Sequence, residues 1–320
     1  MDKLRYEPKP RFEERMKKLL PDYDKFLEIS KIPSINSVRC NTLKISPEKL
    51  RKRLEEKEWK IEQPFPNHKE IMIIGKLNPG ELGKSVEHML GYFYVQEISS
   101  MLPILALQPK PGELLLDLCA SPGSKTTQAS AMMENSGTIL ANDKDVGRIK
   151  ILASNTERCG CTNIIMTRHD AVQLCERLAK LRLKFDKILL DVPCSGEGNI
   201  RSSPKTLLMW NEKMIEKLSR LQRKIASTAI QLLKPEGELI YSTCTHAPEE
   251  NESNVNFLAE KFNMQVEKIS LPVKCRQGLT EWEGESFSKQ LENCCRVYPQ
   301  DNNTEGFFLA KLRFKSNQQE

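Results

Sequence analysis

From about Lys110 onward the chain alternates short apolar runs with stretches of helical periodicity. "ELLLDLCA" (113–120), "GTILANDKD" (137–145), "NIIMTRHDA" (163–171), "FDKILLDVPC" (185–194) and "GELIYSTC" (237–244) each carry a few consecutive apolar or β-branched residues and end in a polar cluster. Runs of this kind suit strands of a parallel sheet buried on both faces. Between them, 125–134, 146–160, 171–181 and 209–234 read as helices. In the last of these Ile215, Leu218, Leu221, Ile225, Ala229 and Leu232 recur at helical spacing. The pattern predicts an α/β fold: a doubly wound, mostly parallel, Rossmann-like sheet with helices on both faces. A further helix (248–262) and strands at 264–270 and 306–314 follow, with an irregular stretch at 271–305.

The first ~92 residues read differently: a helix near 11–30, a strand at 37–43, a helix at 47–58 and a strand at 71–75. This predicts a small N-terminal α+β domain over 1–92 and a catalytic domain over 93–320. The boundary precedes "YFYVQEISSMLPILAL" (92–107), whose aromatic and leucine side chains suit docking on the main sheet. Charge separates the two units as well. Residues 1–60 hold 17 Lys+Arg against 11 Asp+Glu, and of the totals of 49 and 43 this leaves 32 of each sign elsewhere. A basic appendage on a neutral body suits a polyanion, because each phosphate neutralised releases a counterion; a solvated helix face is the plainer reading of 48–60.

The N-terminus is charged where a secretion signal needs an apolar segment, and no apolar run reaches the ~20 residues of a membrane helix. The expectation is a cytoplasmic protein with no membrane partner, whose ten cysteines are reduced thiols. Cys159-Gly-Cys161 and Cys294-Cys295 lack zinc-ligand spacing and histidines are few, so no metal is expected. Oligomeric state is not readable.

In an open α/β sheet ligands bind beyond the carboxyl ends of the strands. Here those ends deliver Cys119 to Lys125, Asp143, Asp170, Asp191 with Cys194, and Cys244. "DLCASPGSKTT" (117–127) is a strand, a Gly-containing turn and a helix start, a geometry that faces backbone amides toward a ligand. It lacks the glycines of a Walker A loop and of a dinucleotide fingerprint. Asp143, about twenty residues after the turn, can take two ribose hydroxyls. Together these favour a cofactor that bears adenosine.

"YVQEISSMLP", "DLCASPGSKTTQ", "ANDKDVGRIK", "RHDA", "LLDVPCSGEGNIR", "YSTCTHAPEENE" and "TEGFFLAKL", spanning about 94–312, resemble the Sun-type (NSUN/Fmu-like) family of RNA cytosine-5 methyltransferases, which use S-adenosylmethionine. The resemblance implies that Cys119, Ala120, Ser121, Pro122, Gly123, Ser124 and Lys125 hold the methionine part. Asp143 would take the ribose with Arg148 nearby, and Asp170 the adenine. The family usually has Ala-Ala-Pro-Gly-Gly-Lys-Thr; Ser121 and Ser124 depart from it, and Ser124 puts close backbone approach in question. The small first domain loosely resembles the family's RNA-recognition-like domain.

The chemistry asks for such residues. Carbon 5 of cytosine becomes nucleophilic only after another nucleophile adds at carbon 6, and a thiolate suits that task. Asp191 would support the ring near nitrogen 3. In DNA cytosine-5 methyltransferases the attacker follows a proline, which nominates Cys194; the Sun-type resemblance assigns attack to Cys244 and release of product to Cys194. The expected substrate is RNA, tRNA favoured over rRNA, with a non-catalytic RNA-binding scaffold as the alternative class. His246 reads as a satisfied or solvent-facing side chain, and Cys40, Cys175 and Cys275 as small buried hydrophobes. Arg201 and Lys205 are candidates to meet RNA phosphates.

Overall fold

The computed structural model describes residues 6–315. The expected first helix is two, Pro10–Leu19 and Tyr23–Ser30, interrupted at Pro21. Their apolar stripes (Phe12, Met16, Tyr23, Phe26) do not cover the small sheet. They pack on Ile200, Trp210, Ile215 and Tyr298 of the C-terminal part.

The small sheet is antiparallel, in the order β2 (Lys60–Glu62), β3 (Ile71–Gly75), β1 (Ser37–Cys40), β4 (Phe93–Val95). Helix Pro47–Glu55 buries Leu50 and Leu54 in this sheet's core with Val38, Met72 and Phe93. Strand β4 pairs with β1, with Tyr94 opposite Arg39. The segment that sequence placed after the boundary therefore divides, since β4 completes the small sheet and helix Ile98–Leu107 docks on the large one.

The large sheet runs β7 (Ile164–Thr167), β6 (Thr138–Asn142), β5 (Leu114–Asp117), β8 (Phe185–Asp191) and β9 (Leu233–Thr243), all parallel. β15 (Phe307–Phe314) then adds antiparallel to β9, and β10 (Met264–Glu267) pairs with β15. Side chains alternate across the sheet as a two-residue period requires. Leu116, Ile188, Leu190 and Tyr241 face one core, with helices Ala171–Lys180, Glu212–Ile230 and Glu252–Lys261. Leu115, Leu189 and Ile240 face the other, with helices Ile98–Leu107, Ser124–Met132 and Val146–Cys159. The chain builds outward from β5 to β7 and then returns to lay β8 on β5's other side. That reversal between β5 and β8 opens a crevice at the carboxyl ends of the strands.

The stretch read as irregular is built and packed. It contains β11 (Arg276–Gln277), a hairpin of β12 (Glu281–Trp282) and β13 (Glu285–Ser286), and β14 (Cys295–Val297), which pairs with both β11 and β15. Arg296 is buried there, ion-paired to Glu252 and donating to the His246 carbonyl at 3.0 Å. Cys275 and Cys295 are joined in a disulfide, correcting the reading that every thiol is free and that Cys275 merely fills space. Spacing along the chain carries no sign of such a pair, because β11 and β14 become neighbours only on folding. No helix among the described residues is long and apolar enough to cross a membrane.

Candidate active site

Parallel pairing of β8 with β9 sets Asp191 opposite Ser242. Both strands end within the next residues, so the loops carrying Cys194 and Cys244 leave the sheet side by side. Their sulfur atoms lie 3.2 Å apart. The loops are tied from behind: the Ser195 amide donates to Glu250 Oε2 at 3.1 Å, Ser195 Oγ and Thr245 Oγ1 lie 2.7 Å apart, and the Gly198 amide donates to the Cys244 carbonyl at 2.9 Å. Gly198 is obligatory for space. A Cβ there would sit 2.2 Å from the Gly306 carbonyl oxygen and 2.9 Å from that of Cys244. This contact delivers the next residue, Asn199, whose amide donates to Cys244 Sγ at 3.1 Å.

The two thiols are electrostatically unequal. Cys244 is pulled below the ordinary thiol value, chiefly by the hydrogen bond from Cys194 and also by Lys125 and Asn199, against burial and the charge of Asp191. Cys194 is pushed well up, first because its proton is held against Cys244 and then by burial. Of the two, Cys244 is the thiol whose ionisation the surroundings favour. Beside it, Lys125 Nζ pairs with Asp191 Oδ2 at 2.7 Å and lies 5.4 Å from the centre of the Phe307 ring, while Ser242 Oγ donates to Asp191 Oδ1 at 3.0 Å. Cation, carboxylate and aromatic ring thus converge next to the thiolate.

All of these face one cavity of about 640 Å³, which continues to the first turn and the second strand end. Gly123, at φ 102°, is the N-cap of helix Ser124–Met132. Behind the turn Asp117 is buried and accepts from Thr126 Oγ1 at 2.8 Å, and burial raises its carboxyl to about 7. Asp143 is buried: Oδ1 accepts the Asp145 amide at 3.0 Å and Oδ2 lies 3.1 Å from Arg148 Nε. Arg148 in turn donates to the Ser121 carbonyl at 2.6 Å, fixing strand end to turn. Asp170 stands past the end of β7 as the cap of helix Ala171–Lys180, with Oδ1 accepting from Val172 and Gln173 amides.

Of the residues expected at the cofactor, Cys119, Ser121, Lys125, Asp143, Arg148, Asp170 and Asp191 line the cavity. Ala120, Pro122, Gly123 and Ser124 do not; they shape the turn behind it. The Ser124 departure therefore alters no wall, and its carbonyl is turned to Arg39 Nη2 at 3.4 Å. The Ser121 hydroxyl is buried on the cavity without a hydrogen-bond partner among the described residues. A free buried hydroxyl, two acidic strand ends and a volume of this size fit an adenosine-bearing ligand.

Two expectations are overturned or refined. Arg201 meets no solvent-borne phosphate: it is buried and its guanidinium donates to the carbonyls of Ile32, Pro33 and Thr304 and to Asn303 Oδ1. Lys205 is exposed. His246 is buried, stacked on Tyr298 with ring centres 4.8 Å apart, and burial beside Arg296 lowers it to about 3, so it is neutral and structural. Sequence reasoning missed Asn199 and Phe307, and read Lys125 only as part of the turn. Phe307 and Asn199 were visible in "TEGFFLAKL" and "SGEGN" as residues of segments already singled out, without a spacing rule to assign them.

Residues 104–313 match the family model for the 16S rRNA methyltransferases RsmB/F, and residues 9–98 match the N-terminal domain of 16S rRNA methyltransferase RsmF. The chain is 39% identical to a tRNA (cytosine(49)-C(5))-methyltransferase of Pyrococcus abyssi, over 95% of this chain and 98% of that one. It is 38% identical to ribosomal RNA small subunit methyltransferase F of Aliivibrio salmonicida, over 92% of this chain but 60% of that one. Among solved structures, a methyltransferase homologue from Pyrococcus horikoshii superposes with a TM-score of 0.85 at 33% identity, over 98% of this chain and 96% of that one. NSun6 from the same organism, with SFG, superposes with a TM-score of 0.81 at 27% identity, over 95% and 98%. The chain belongs to the RsmB/F family of Sun-type, S-adenosylmethionine-dependent RNA cytosine-5 methyltransferases.

Proposed function

We propose that this enzyme methylates carbon 5 of a cytosine in tRNA through a covalent adduct with Cys244. The observation that carries the mechanism is the 3.2 Å approach of the two sulfur atoms, with Asn199 as a second donor to Cys244. With two donors the Cys244 thiol ionises more readily than an ordinary one. The thiolate adds to carbon 6 of a base swung out of its stack into the cavity, and the ring charge that results falls beside the Lys125–Asp191 pair. Ser121, Asp143, Arg148 and Asp170 would hold S-adenosylmethionine, which would supply the methyl group for carbon 5. Once Cys244 is a thioether it no longer takes the Cys194 hydrogen bond, so the main cause that held the Cys194 proton is gone. Cys194 can then give its own proton to solvent through the open cavity and, as thiolate, take the carbon 5 proton. The carbon 6–sulfur bond breaks, the 5,6 double bond returns, and Cys244 leaves as thiolate.

The tRNA reading is supported by the relative matched along nearly its whole length, whereas the rRNA enzyme extends well beyond the matched part. Gripping of the RNA falls to the small sheet and its exposed helix Pro47–Glu55, which carries Lys49, Arg51, Lys52 and Arg53. Residues 1–92 are proposed as the RNA-binding unit and 93–320 as the catalytic one, with β4 belonging to the first sheet.

The test is adduct trapping. Cys194→Ala accumulates a protein–RNA band that resists denaturing gels, and Cys244→Ala forms none; the reverse pattern exchanges the roles, and no band in either refutes the mechanism. Bisulfite sequencing of RNA incubated with the enzyme then maps the cytosine.

A further inference from the structure

Glu305 is 3% exposed and lines the same cavity as Cys244, yet among the described residues neither carboxylate oxygen makes a well-formed hydrogen bond, with only Ser202 approaching loosely. Buried carboxyls without partners are costly and rare in folded chains. Its backbone is pinned. The Glu305 amide donates to Glu97 Oε1 at 3.0 Å, the Thr304 carbonyl accepts from Arg201, and the Gly306 amide donates to the Gly198 carbonyl at 2.9 Å. Gly198 is the residue that presents Asn199 to Cys244, and Phe307, two positions on, stands over Lys125. The carboxyl is thus fixed to the elements that carry Asn199 and Phe307.

Its surroundings define what can satisfy it. Burial, then the charge of Glu97, raise the carboxyl to about 7 against the smaller pulls of Ser202 and Arg201. Arg201, the nearby cation, spends its donors on three carbonyls and Asn303. A phosphate is repelled by the two adjacent acidic side chains, Glu305 and Glu97. What fits is a neutral N–H or O–H donor. A cytidine brought to Cys244 has two of these, its ribose 2′-hydroxyl and its exocyclic amine.

We propose that Glu305 is a specificity-determining residue of the substrate pocket, accepting a hydrogen bond from a neutral donor of the target nucleotide. The inference rests on the reading of Cys244 as the attacking residue. The subsite then rejects nucleotides lacking that donor, because the acceptor is left buried and unpaired.

The experiment is a cycle of enzyme and substrate changes, using a synthetic RNA stem-loop around the cytosine mapped by bisulfite sequencing. Wild type, Glu305→Ala and Glu305→Gln are compared on three RNAs: the parent, one with 2′-deoxycytidine at the target, and one with 2-pyrimidinone there, which lacks the amine. On the parent RNA, Glu305→Ala is expected to lose about 10- to 100-fold in kcat/KM. Glu305→Gln, which keeps one acceptor oxygen, recovers part of the loss. The loss is absent on the RNA that lacks the partner group: on the deoxy RNA if the donor is the hydroxyl, on the pyrimidinone RNA if it is the amine. Covalent adduct yield is measured alongside, since the pyrimidinone can be trapped even where turnover changes. Losses that multiply independently on both altered RNAs overturn the proposal, as does an unimpaired Glu305→Ala. If Cys194→Ala forms no adduct with the parent RNA, it is the reading of Cys244 that fails, and the substrate subsite falls with it.

Discussion

Removing the Cys194 thiol isolates the contact that makes Cys244 reactive. In Cys194→Ala the sulfur of Cys244 keeps Asn199 and Lys125 but loses the first of the causes that lower it. A hydrogen bond to a charged group contributes about 1.5–3 kcal/mol. Losing it moves the Cys244 thiol back up and lowers its ionisation constant by about 10- to 100-fold at about 1.4 kcal/mol per tenfold, so alkylation at pH below the titration midpoint slows in proportion. Cys194→Ser keeps a donor and should shift less. The assay is iodoacetamide labelling from about pH 5 to about pH 9, a range that brackets ordinary thiols, with peptide mass spectrometry reading Cys244 alone. This separates it from Cys119 and Cys161, which are also partly accessible. An unmoved midpoint in Cys194→Ala, or faster labelling of Cys194 than of Cys244 in the wild type, would refute the reasoning.

Three further outcomes follow from the geometry. Gly198→Ala forces a Cβ into two carbonyl oxygens; it should displace Asn199 and lower kcat on the order of 100-fold, with donor binding, measured by calorimetry, retained because Gly198 is not on that wall. Glu252→Gln leaves the buried Arg296 charge uncompensated and should cost about 3–5 kcal/mol in urea unfolding, whereas an effect within error would mean the pair is dispensable. Glu305 has a carboxyl raised from 4.5 to about 7, so its contribution to stability is full below about 4.5 and is lost as pH rises toward 7. Glu305→Gln, which does not titrate, should therefore gain up to about 3 kcal/mol relative to wild type between pH 4 and pH 8, and a difference independent of pH would contradict the burial argument.

The central sheet was readable because β5, β6, β8 and β9 are largely buried on both faces and so appear as apolar runs, while the edge strand β7 keeps an apolar run although Ile165 and Met166 are exposed. The thiol pair was readable for a related reason: Asp-Val-Pro-Cys and Ser-Thr-Cys follow two such runs, and adjacent parallel strands bring their ends together. The partners of that pair were not. Lys125 reaches Asp191 from a helix start on a different strand's turn, and Asn199 reaches Cys244 through a backbone contact that only Gly198 allows. Neither relation has a period along the chain.

Charge was the least transferable signal, because a count over sixty residues says nothing about which side chains reach solvent. Arg15 is 5% exposed and bound to Glu249 at 2.8 Å, and Arg39 is 2% exposed, donating to Gln96 and to Thr127 across to the cofactor-turn helix. Two of the basic residues that suggested an RNA surface instead fasten N-terminal elements to the C-terminal part. On helix Pro47–Glu55, Arg51 and Arg53 are engaged by Glu55 and Glu87. Lys49 and Lys52 have no carboxylate partner among the described residues. Of the basic residues of the N-terminal part, Arg15 and Arg39 are taken up in internal fastening, and only exposed ones such as Lys49 and Lys52 are open to contribute to the salt dependence expected of RNA binding.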